Sequence, residues 1–304
     1  MTSSQPSTYQ QGHNRAVTAN HIVRTAEAEG AFLLPHLKPH FRILDVGCGP
    51  GSITSGFAKY VPQGSVTGVD LTSEVLGQAK EHLNNQDPKP DNVTFEVGNV
   101  VDGLHFQDET FDVVFCNQTL LHIPEPVKAM KEMRRVCKTG GVVACREADW
   151  PFRYYPELPG LQIFHKYLWL MIHGPPSPAN WSSSSPSASA ASTATPDEAF
   201  LIIAPHPPNH RSGSRIHVWA REAGFDPAKI TKAASAQVYS TADEKKFLAG
   251  VMAGRIEQGG HRKKYLELGA SEEEVDEIVK GWREWEKDVD GWFTGVNCEV
   301  LSWK

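Results

Sequence analysis

Short apolar runs and amphipathic stretches alternate along the first half of the chain. The apolar runs predict strands at 42–46, 65–69, 93–97, 111–117 and 141–147. Apolar residues at helical spacing predict helices before or between these strands, at 19–37, 52–60, 73–83 and 126–136. Strands that alternate with helices are typical of a parallel sheet with helices on both of its faces.

The second half of the chain carries two further apolar runs, at 230–239 and 297–303, which predict late strands. Helical patterns in this half lie at 161–173, 214–223, 243–257 and 271–288. Both late strands can extend the sheet of the first half. The sequence therefore predicts the α/β class, with a doubly wound, mostly parallel, seven-stranded sheet and a helical cap.

A stretch rich in Ser, Pro and Ala at 175–210 interrupts this pattern. It contains eight Ser, eight Pro and no Lys or Arg. Such a composition buries too little apolar surface to offset the entropy of ordering the backbone, so we expect a flexible, disordered insertion. An interdomain linker and an insertion into one domain both fit this composition.

The composition excludes some classes of protein. Of the 304 residues, 40% are hydrophobic and 22% are charged, as in ordinary folded proteins. The formal net charge of −6 gives no general attraction to nucleic acid or anionic lipid, so we expect neither as a partner. We expect a cytoplasmic protein, because the chain has no apolar run that could span a bilayer and no signal peptide. The five cysteines lack CxxC spacing, so we expect no metal site.

A glycine-rich loop follows the first predicted strand, in the run Asp45-Val46-Gly47-Cys48-Gly49-Pro50-Gly51. Glycines at alternate positions let a backbone approach a nucleotide-like ligand without interference from Cβ atoms. Asp70 follows Gly51 by nineteen residues, at the end of the second predicted strand, where a carboxylate can bind both hydroxyls of a ribose. Dinucleotide-binding proteins share both features, so this pair does not distinguish between nucleotide cofactors.

Three other features discriminate between these cofactors. Asp45 lies inside the first strand, a helix precedes that strand, and the stretch 106–117 leads through Leu120-Leu121-His122 into the stretch 132–141. Together these residues resemble the class I S-adenosylmethionine-dependent methyltransferases, in particular the small-molecule group that includes the ubiquinone and menaquinone C-methyltransferases. The resemblance covers about 34–149 and implies a Rossmann-like fold that binds S-adenosyl-L-methionine. Residues near both termini resemble uncharacterised microbial and fungal members.

The resemblance also implies which residues contact the cofactor. The implied contacts are Asp45, Gly47, Cys48, Gly49, Asp70, Leu71, Asn99, Val100, Asn117 and Gln118. Asp70 would hold the ribose, Leu71 would pack on the adenine, and the backbone carbonyl of Asn117 would bind the cofactor's amino group. The family usually has an acidic residue where this chain has Asn99, whose side-chain oxygen can still accept a hydrogen bond from the adenine. An N-terminal segment that folds over the cofactor in such enzymes offers Tyr9, His13, His21 and Arg24 as lid contacts.

Methyl transfer from a sulfonium requires mainly proximity and orientation, together with a base for some acceptors. His122 is the candidate base, and Glu147 and Asp149 are alternatives. The aromatic stretch after the fifth strand predicts a cover that suits an apolar or aromatic small molecule. The sequence thus predicts a methyltransferase for a small-molecule acceptor by O-, N-, S- or C-methylation. The first alternative is a catalytically silent, methyltransferase-like cofactor-binding or regulatory protein, and a nicotinamide oxidoreductase is a more distant one.

These features divide the chain into five predicted segments. They are an N-terminal helical segment or lid at 1–41, an S-adenosylmethionine-binding core at 42–149, a cover helix at 150–174, the insertion at 175–210, and the completion of the sheet with C-terminal helices at 211–304.

Overall fold

A seven-stranded sheet organises the part of the chain that the computed structural model describes, residues 22–173, 212–258 and 260–304. Its strands are β1 (Arg42–Val46), β2 (Ser65–Asp70), β3 (Val93–Val97), β4 (Phe111–Asn117), β5 (Cys137–Tyr155), β6 (Ile230–Tyr239) and β7 (Trp292–Trp303). The spatial order is β3-β2-β1-β4-β5-β7-β6. Strands β1 to β5 run parallel, and β7 is antiparallel to both β5 and β6. The predicted fold class is confirmed.

Helices cover both faces of the sheet and form the cap beyond β5. They are α1 (Ala26–Glu29), α2 (Ser52–Phe57), α3 (Ser73–Asn84), α4 (Pro126–Val136), α5 (Pro159–His173), α6 (Ser212–Glu222), α7 (Ala242–Glu257), α8 (His261–Glu267) and α9 (Glu272–Lys287). Capping boxes begin α7 at Thr241 and α9 at Ser271, so the sequence itself fixes where these cap helices start. Within the described residues, no helix combines the length and the apolar character needed to cross a membrane.

Three apolar clusters hold these layers together. One packs α4 and α6 against one face of the sheet, with Met130 and Trp219 at its centre. A second packs α2 and α3 against the opposite face, around Phe57 and Phe115. The third lies in the cap between α5, α7 and α9, where the Trp282 side chain is fully buried. The carboxyl ends of the parallel strands lie between the body of the sheet and its helical cap, where ligands bind in folds of this kind.

The predicted N-terminal helix at 19–37 is wrong in its described part. Instead, the chain forms the short helix α1, then a separate 3₁₀ turn at Leu34–His36. Gly30 is the C-cap of α1, and its backbone packs directly on Phe57, where an added Cβ would lie 2.8 Å from the ring. Pro35 then enters the 3₁₀ turn without an amide hydrogen to continue an α-helix.

Two strands extend at least five residues beyond their predicted ranges, and one helix was missed. β5 and β7 pair on both sides of an irregularity between Asp149 and Arg153, which carries both strands past the predicted ranges of 141–147 and 297–303. Helix α8 has no counterpart in the predicted pattern. The predicted insertion at 175–210 and the lid residues Tyr9, His13 and His21 lie outside the described residues.

Candidate functional site

The carboxyl ends of β1, β2 and β4 form a cleft of about 1050 Å³, including its part open to solvent. We call it the glycine-loop cleft, after the loop between β1 and α2 that forms its floor. Most of the predicted cofactor residues line it. They are Gly47, Cys48, Gly49, Asp70, Leu71, Asn99, Val100, Asn117 and Gln118, joined by His122 and the predicted lid residue Arg24. Sequence reasoning therefore selected one continuous surface.

The conformation of the glycine loop requires glycine, since Gly47, Gly49 and Gly51 all have positive φ. Gly47 has a φ of 72°, and a Cβ at this position would lie 2.3 Å from Oγ1 of Thr119. Gly49 has a φ of 53°, and a Cβ there would have no atom within 4 Å. The amides of Gly47 and Cys48 donate to the carbonyl of Val69 at 2.9 and 3.1 Å, which ties the loop to β2. The loop thus leaves open space above Gly49 on a fixed backbone.

Asp70 links the end of β2 to this loop. Its Oδ2 accepts a hydrogen bond from the Gly49 amide at 2.8 Å, and its Oδ1 accepts one from the Leu71 amide at 2.7 Å. A carboxylate oxygen can accept more than one hydrogen bond, so this group is also chemically suited to a ligand hydroxyl. The neighbouring Leu71 side chain is 37% exposed and presents an apolar surface to the cleft. Together these two residues offer a polar and an apolar contact side by side.

Asn99 and Asn117 both line the cleft, but their side-chain amides have different hydrogen-bond partners. Asn99 accepts from the Val101 amide at 3.0 Å and donates to Asp102 at 2.6 Å, so its amide group is fixed. Asn117 is buried, and its Oδ1 accepts from Arg146 at 3.3 Å. Its Nδ2 has no hydrogen-bond partner among the described residues. A buried amide donor without a partner carries a desolvation cost that a bound ligand can relieve.

Asp45 lies behind the glycine loop and does not line the cleft. It is 3% exposed, and its Oδ2 accepts a hydrogen bond from the Thr54 hydroxyl of α2 at 2.6 Å. Its pKa is raised from 3.8 to about 7, chiefly by burial, with the negative charge of Asp70 adding to the rise and the bond from Thr54 opposing it. Asp45 therefore joins β1 to α2 beneath the loop.

The buried carboxyl of Asp45 predicts a pH-dependent stability. Between its ordinary pKa of 3.8 and its folded pKa of about 7, the folded state keeps a proton that the unfolded chain releases. The free energy of unfolding should fall by about 1.4 kcal/mol per pH unit as the pH rises through this window. The variant Asp45→Asn should lack this contribution, because it cannot ionise and keeps an oxygen for Thr54. Urea titrations across the window measure the difference, and identical pH slopes for both proteins would contradict the prediction.

A second cavity of about 1200 Å³, including its open part, adjoins the glycine-loop cleft, and we call it the cap cavity. The two share Arg24, Gln118 and His122 in their walls. The apolar side chains of the cap cavity are Leu121, Ala148, Phe152, Phe164, Leu168, Leu248, Met252 and Phe293, and its polar ones include Glu29, Gln237, Tyr239, Arg255, His261, Tyr265 and Asn297. The predicted aromatic stretch thus contributes to it through Phe152, which the structure places within β5, and through Phe164 of α5. The contributions of β6, β7, α7 and α8 were missed.

His122 lies where the two spaces meet. Its backbone amide donates to the Thr119 carbonyl at 3.0 Å, which fixes the turn after β4. Burial, together with the positive charges of Arg24 and Arg255, lowers the pKa of His122 from 6.5 to about 4. The imidazole is therefore neutral at pH 7 and can accept a proton.

The two alternative bases, Glu147 and Asp149, line neither space. Glu147 is fully buried, and its carboxylate accepts from the amides of Thr119, Leu120 and Leu121 at 2.9, 2.8 and 3.3 Å. Burial raises its pKa to about 7, against the effect of these three hydrogen bonds. Glu147 therefore holds the turn that carries His122. No cluster of His, Cys, Asp or Glu within the described ranges could hold a metal ion.

Comparison with known proteins identifies the family. Residues 37–181 match the family model described as a methyltransferase domain. The chain is 34% identical over 315 residues to "Probable methyltransferase ltbC" of Aspergillus luteorubrus, covering 100% of this chain and 99% of that protein. It is 36% identical over 118 residues to a demethylmenaquinone methyltransferase of Symbiobacterium thermophilum, covering 38% of this chain and 46% of that enzyme.

A solved structure shares the fold over the whole length. The 4+2 cyclase SpnF has a TM-score of 0.52 and 18% sequence identity, and the match covers 99% of each chain. At this identity the likeness concerns the fold alone. The family is shown by the full-length relative and by the match to the methyltransferase domain. Both agree with the motifs found in the first half of the sequence. The chain therefore belongs to the methyltransferase family and is an S-adenosylmethionine-dependent methyltransferase.

Proposed function

We propose that the glycine-loop cleft holds S-adenosylmethionine, that the cap cavity holds a small-molecule acceptor, and that His122 acts as the general base between them. The observation that carries this proposal is that Arg24, Gln118 and His122 line both spaces, which therefore adjoin at these three residues. A methyl donor and an acceptor must lie within contact distance for displacement, and two adjoining cavities suit this arrangement. The cytoplasmic location stays a prediction from the sequence.

The residues of the cleft fit the cofactor. Open space above Gly49 accommodates a ligand directly on the loop backbone. The unpartnered Nδ2 of Asn117 is a donor for a carboxylate or carbonyl oxygen. We assign the ribose hydroxyls to Asp70 and one face of the adenine to Leu71, because these two side chains adjoin at the end of β2. Asn99 and Val100 would border the adenine from the end of β3.

The chain's own residues orient the reactants and remove a proton. When bound, S-adenosylmethionine supplies a methyl group whose bond to sulfur breaks as a bond to the acceptor forms, the electron pair passing to sulfur. Neutral His122 accepts the proton that an O–H, N–H or S–H acceptor must lose. Glu147 holds the turn that carries this imidazole by accepting hydrogen bonds from two of its amides. Gln118 anchors the shared wall by donating to Asn297 at 2.8 Å.

An incubation with labelled cofactor tests the proposed function. The protein, S-adenosylmethionine with an isotopically labelled methyl group, and a metabolite extract from its organism of origin should give a labelled small molecule. Label found only in unreacted cofactor, with the cofactor bound to the protein, would favour the catalytically silent alternative. Binding of NAD(P) in place of S-adenosylmethionine would contradict both readings.

Loss of the proposed base should slow methyl transfer without weakening cofactor binding. His122→Gln should lower kcat by about a hundredfold with an acceptor that loses a proton. The wild-type rate should fall as the pH drops through about 4, where the imidazole becomes protonated, and the variant should lack this acid limb. Steady-state kinetics across this range measure both effects. His105→Gln replaces an exposed histidine as a control, and an equal loss in both variants would contradict the role of His122.

A further inference from the structure

The cap cavity has a buried histidine in its wall, contributed by α8. We infer that the methyl acceptor is a ring-bearing small molecule with a neutral hydroxyl or carbonyl oxygen, and that His261 binds this oxygen and so determines specificity. This inference rests on the proposed function, because it names the acceptor class of the same cavity. It adds a polar group to the apolar or aromatic acceptor that the sequence predicted, and a residue that the sequence did not indicate.

His261 is the first residue of α8 and lines the cap cavity but not the glycine-loop cleft. It is 2% exposed, and its Nε2 is buried without a hydrogen-bond partner within the described part of the chain. Most buried polar atoms in folded proteins have a partner, because leaving one unsatisfied costs the free energy of its lost contacts with water. An acceptor bound in the cap cavity would supply the partner of this nitrogen.

The imidazole of His261 is neutral at pH 7. Burial, together with the positive charges of Arg255 and Lys264, lowers its pKa from 6.5 to about 3. A neutral imidazole has one nitrogen that donates a hydrogen bond and one that accepts. Nε2 can therefore donate to a carbonyl oxygen in one tautomer and accept from a hydroxyl in the other. Both ligand groups are neutral oxygens, and neither needs a charge on the histidine.

Two tyrosines add neutral polar groups to the same cavity. Tyr265 lies one turn further along α8 and is fully buried, and its ring centroid is 6.1 Å from that of His261. The hydroxyl of Tyr239 in β6 accepts from Gln237 at 2.7 Å and is chemically able to donate its own proton as well. Burial raises the pKa of both hydroxyls above the ordinary value of 10.0, so both stay protonated. This part of the wall therefore suits an uncharged oxygen.

The aromatic side chains of the cavity suit a planar ring. Phe152 of β5 and Phe293 of β7 lie with their ring centroids 5.5 Å apart, and Phe164 of α5 lines the same cavity. Apolar burial and aromatic contacts hold a ring, but they do not fix its rotation within the ring plane. A hydrogen bond is directional, so a bond to His261 would fix this rotation. It would thereby select which atom of the acceptor is presented to His122 and the methyl donor.

Three matched probes test for the oxygen. They are indane, which has no oxygen, 1-indanone, which has a carbonyl, and 5-indanol, which has a neutral hydroxyl. Calorimetry is done on the full chain saturated with S-adenosylhomocysteine. At least one oxygenated probe should bind about tenfold more tightly than indane, and the tighter one indicates whether Nε2 donates or accepts. Indane binding as tightly as both oxygenated probes, or no measurable binding of either of them, overturns the inference.

Substitution of the histidine assigns the preference to its source. His261→Leu should remove the preference for the oxygenated probe and leave the affinities for indane and S-adenosylhomocysteine unchanged. His261→Gln should retain part of the preference, because its side-chain amide still forms hydrogen bonds. His40→Leu is the matched control, because it replaces an exposed histidine that lines neither space. Thermal unfolding checks that each variant is folded, and His261→Phe supplies a second apolar variant should His261→Leu fail to fold.

The two levels of the proposal fail separately. A preference that persists in a folded apolar variant of His261, or that is lost only in His122→Gln, places the oxygen elsewhere and overturns the inference while the cofactor site stands. If S-adenosylhomocysteine does not bind, or its binding does not depend on residues of the glycine-loop cleft, the proposed function itself fails. Cofactor affinity is therefore measured first, in the absence of any probe.

Discussion

Asp70→Ala should lower the affinity for S-adenosylmethionine by about two orders of magnitude or more. The proposed role of this carboxylate is to accept two hydrogen bonds from the ribose, and hydrogen bonds to a charged group contribute about 1.5–3 kcal/mol each. The substitution also removes the bonds that Asp70 accepts from the amides of Gly49 and Leu71, which hold the glycine loop against β2. Both effects weaken the same site. Calorimetric titration with the cofactor measures the loss.

Two further variants separate the effects on the ligand and on the loop. Asp70→Asn keeps one oxygen acceptor and should lose less affinity than Asp70→Ala. Glu74→Gln removes an exposed carboxylate from the first turn of α3, four residues further along, and should leave the affinity unchanged. Thermal unfolding checks that each variant is folded. Unchanged affinity in a folded Asp70→Ala protein would show that the ribose is held elsewhere.

The sequence predicted the strands around the cofactor site almost residue for residue. The ranges of β1, β3 and β4 agree with the predicted ones, and β2 is longer by one residue. Strands buried on both faces read as continuous apolar runs, and the glycine loop and the helix starts bound them on each side. The residues that line the glycine-loop cleft follow directly from those strand ends. Signals of this kind are local, so a single sequence contains them.

The cap cavity was harder to predict, because its walls come from distant parts of the chain. Phe164, Tyr239, Arg255 and Phe293 belong to four different elements that meet only when β7 pairs with β5 and β6. No local spacing relates such residues. A partial signal was present in Arg255, a cation that breaks the apolar spacing of its helix.

The roles of the carboxylates were hard to predict for a different reason. Asp45 and Glu147 both stand at strand positions where a site residue was expected, yet each faces protein hydrogen-bond donors. Whether a carboxylate points to a ligand or to a backbone amide depends on the packing of the neighbouring turn, and no pattern in the sequence states it. Arg146 is a clearer signal, since a cation inside a strand covered on both faces requires buried partners.

Arg146→Met should be strongly destabilising, by about 3–5 kcal/mol, because it leaves buried carboxylates without their cation. Arg146 is 4% exposed and pairs with Glu29 and Glu299, while its guanidinium also donates to Asn117 at 3.3 Å. These bonds join α1, β4, β5 and β7 at the base of both spaces. The loss should therefore lower cofactor affinity as well as stability. Urea unfolding measures the free energy, and titration measures the affinity.

The origin of this destabilisation can be tested by removing the partners. A triple variant with Arg146→Met, Glu29→Gln and Glu299→Gln contains no buried charge at this position, so it should recover most of the stability that Arg146→Met loses. Arg153→Met is the control, because it removes an exposed arginine from the same strand and should change the free energy by less than about 0.5 kcal/mol. A triple variant no more stable than Arg146→Met would attribute the loss to packing of the arginine side chain. Recovery of stability without recovery of cofactor affinity would assign to Arg146 the separate task of orienting Asn117 toward the cleft.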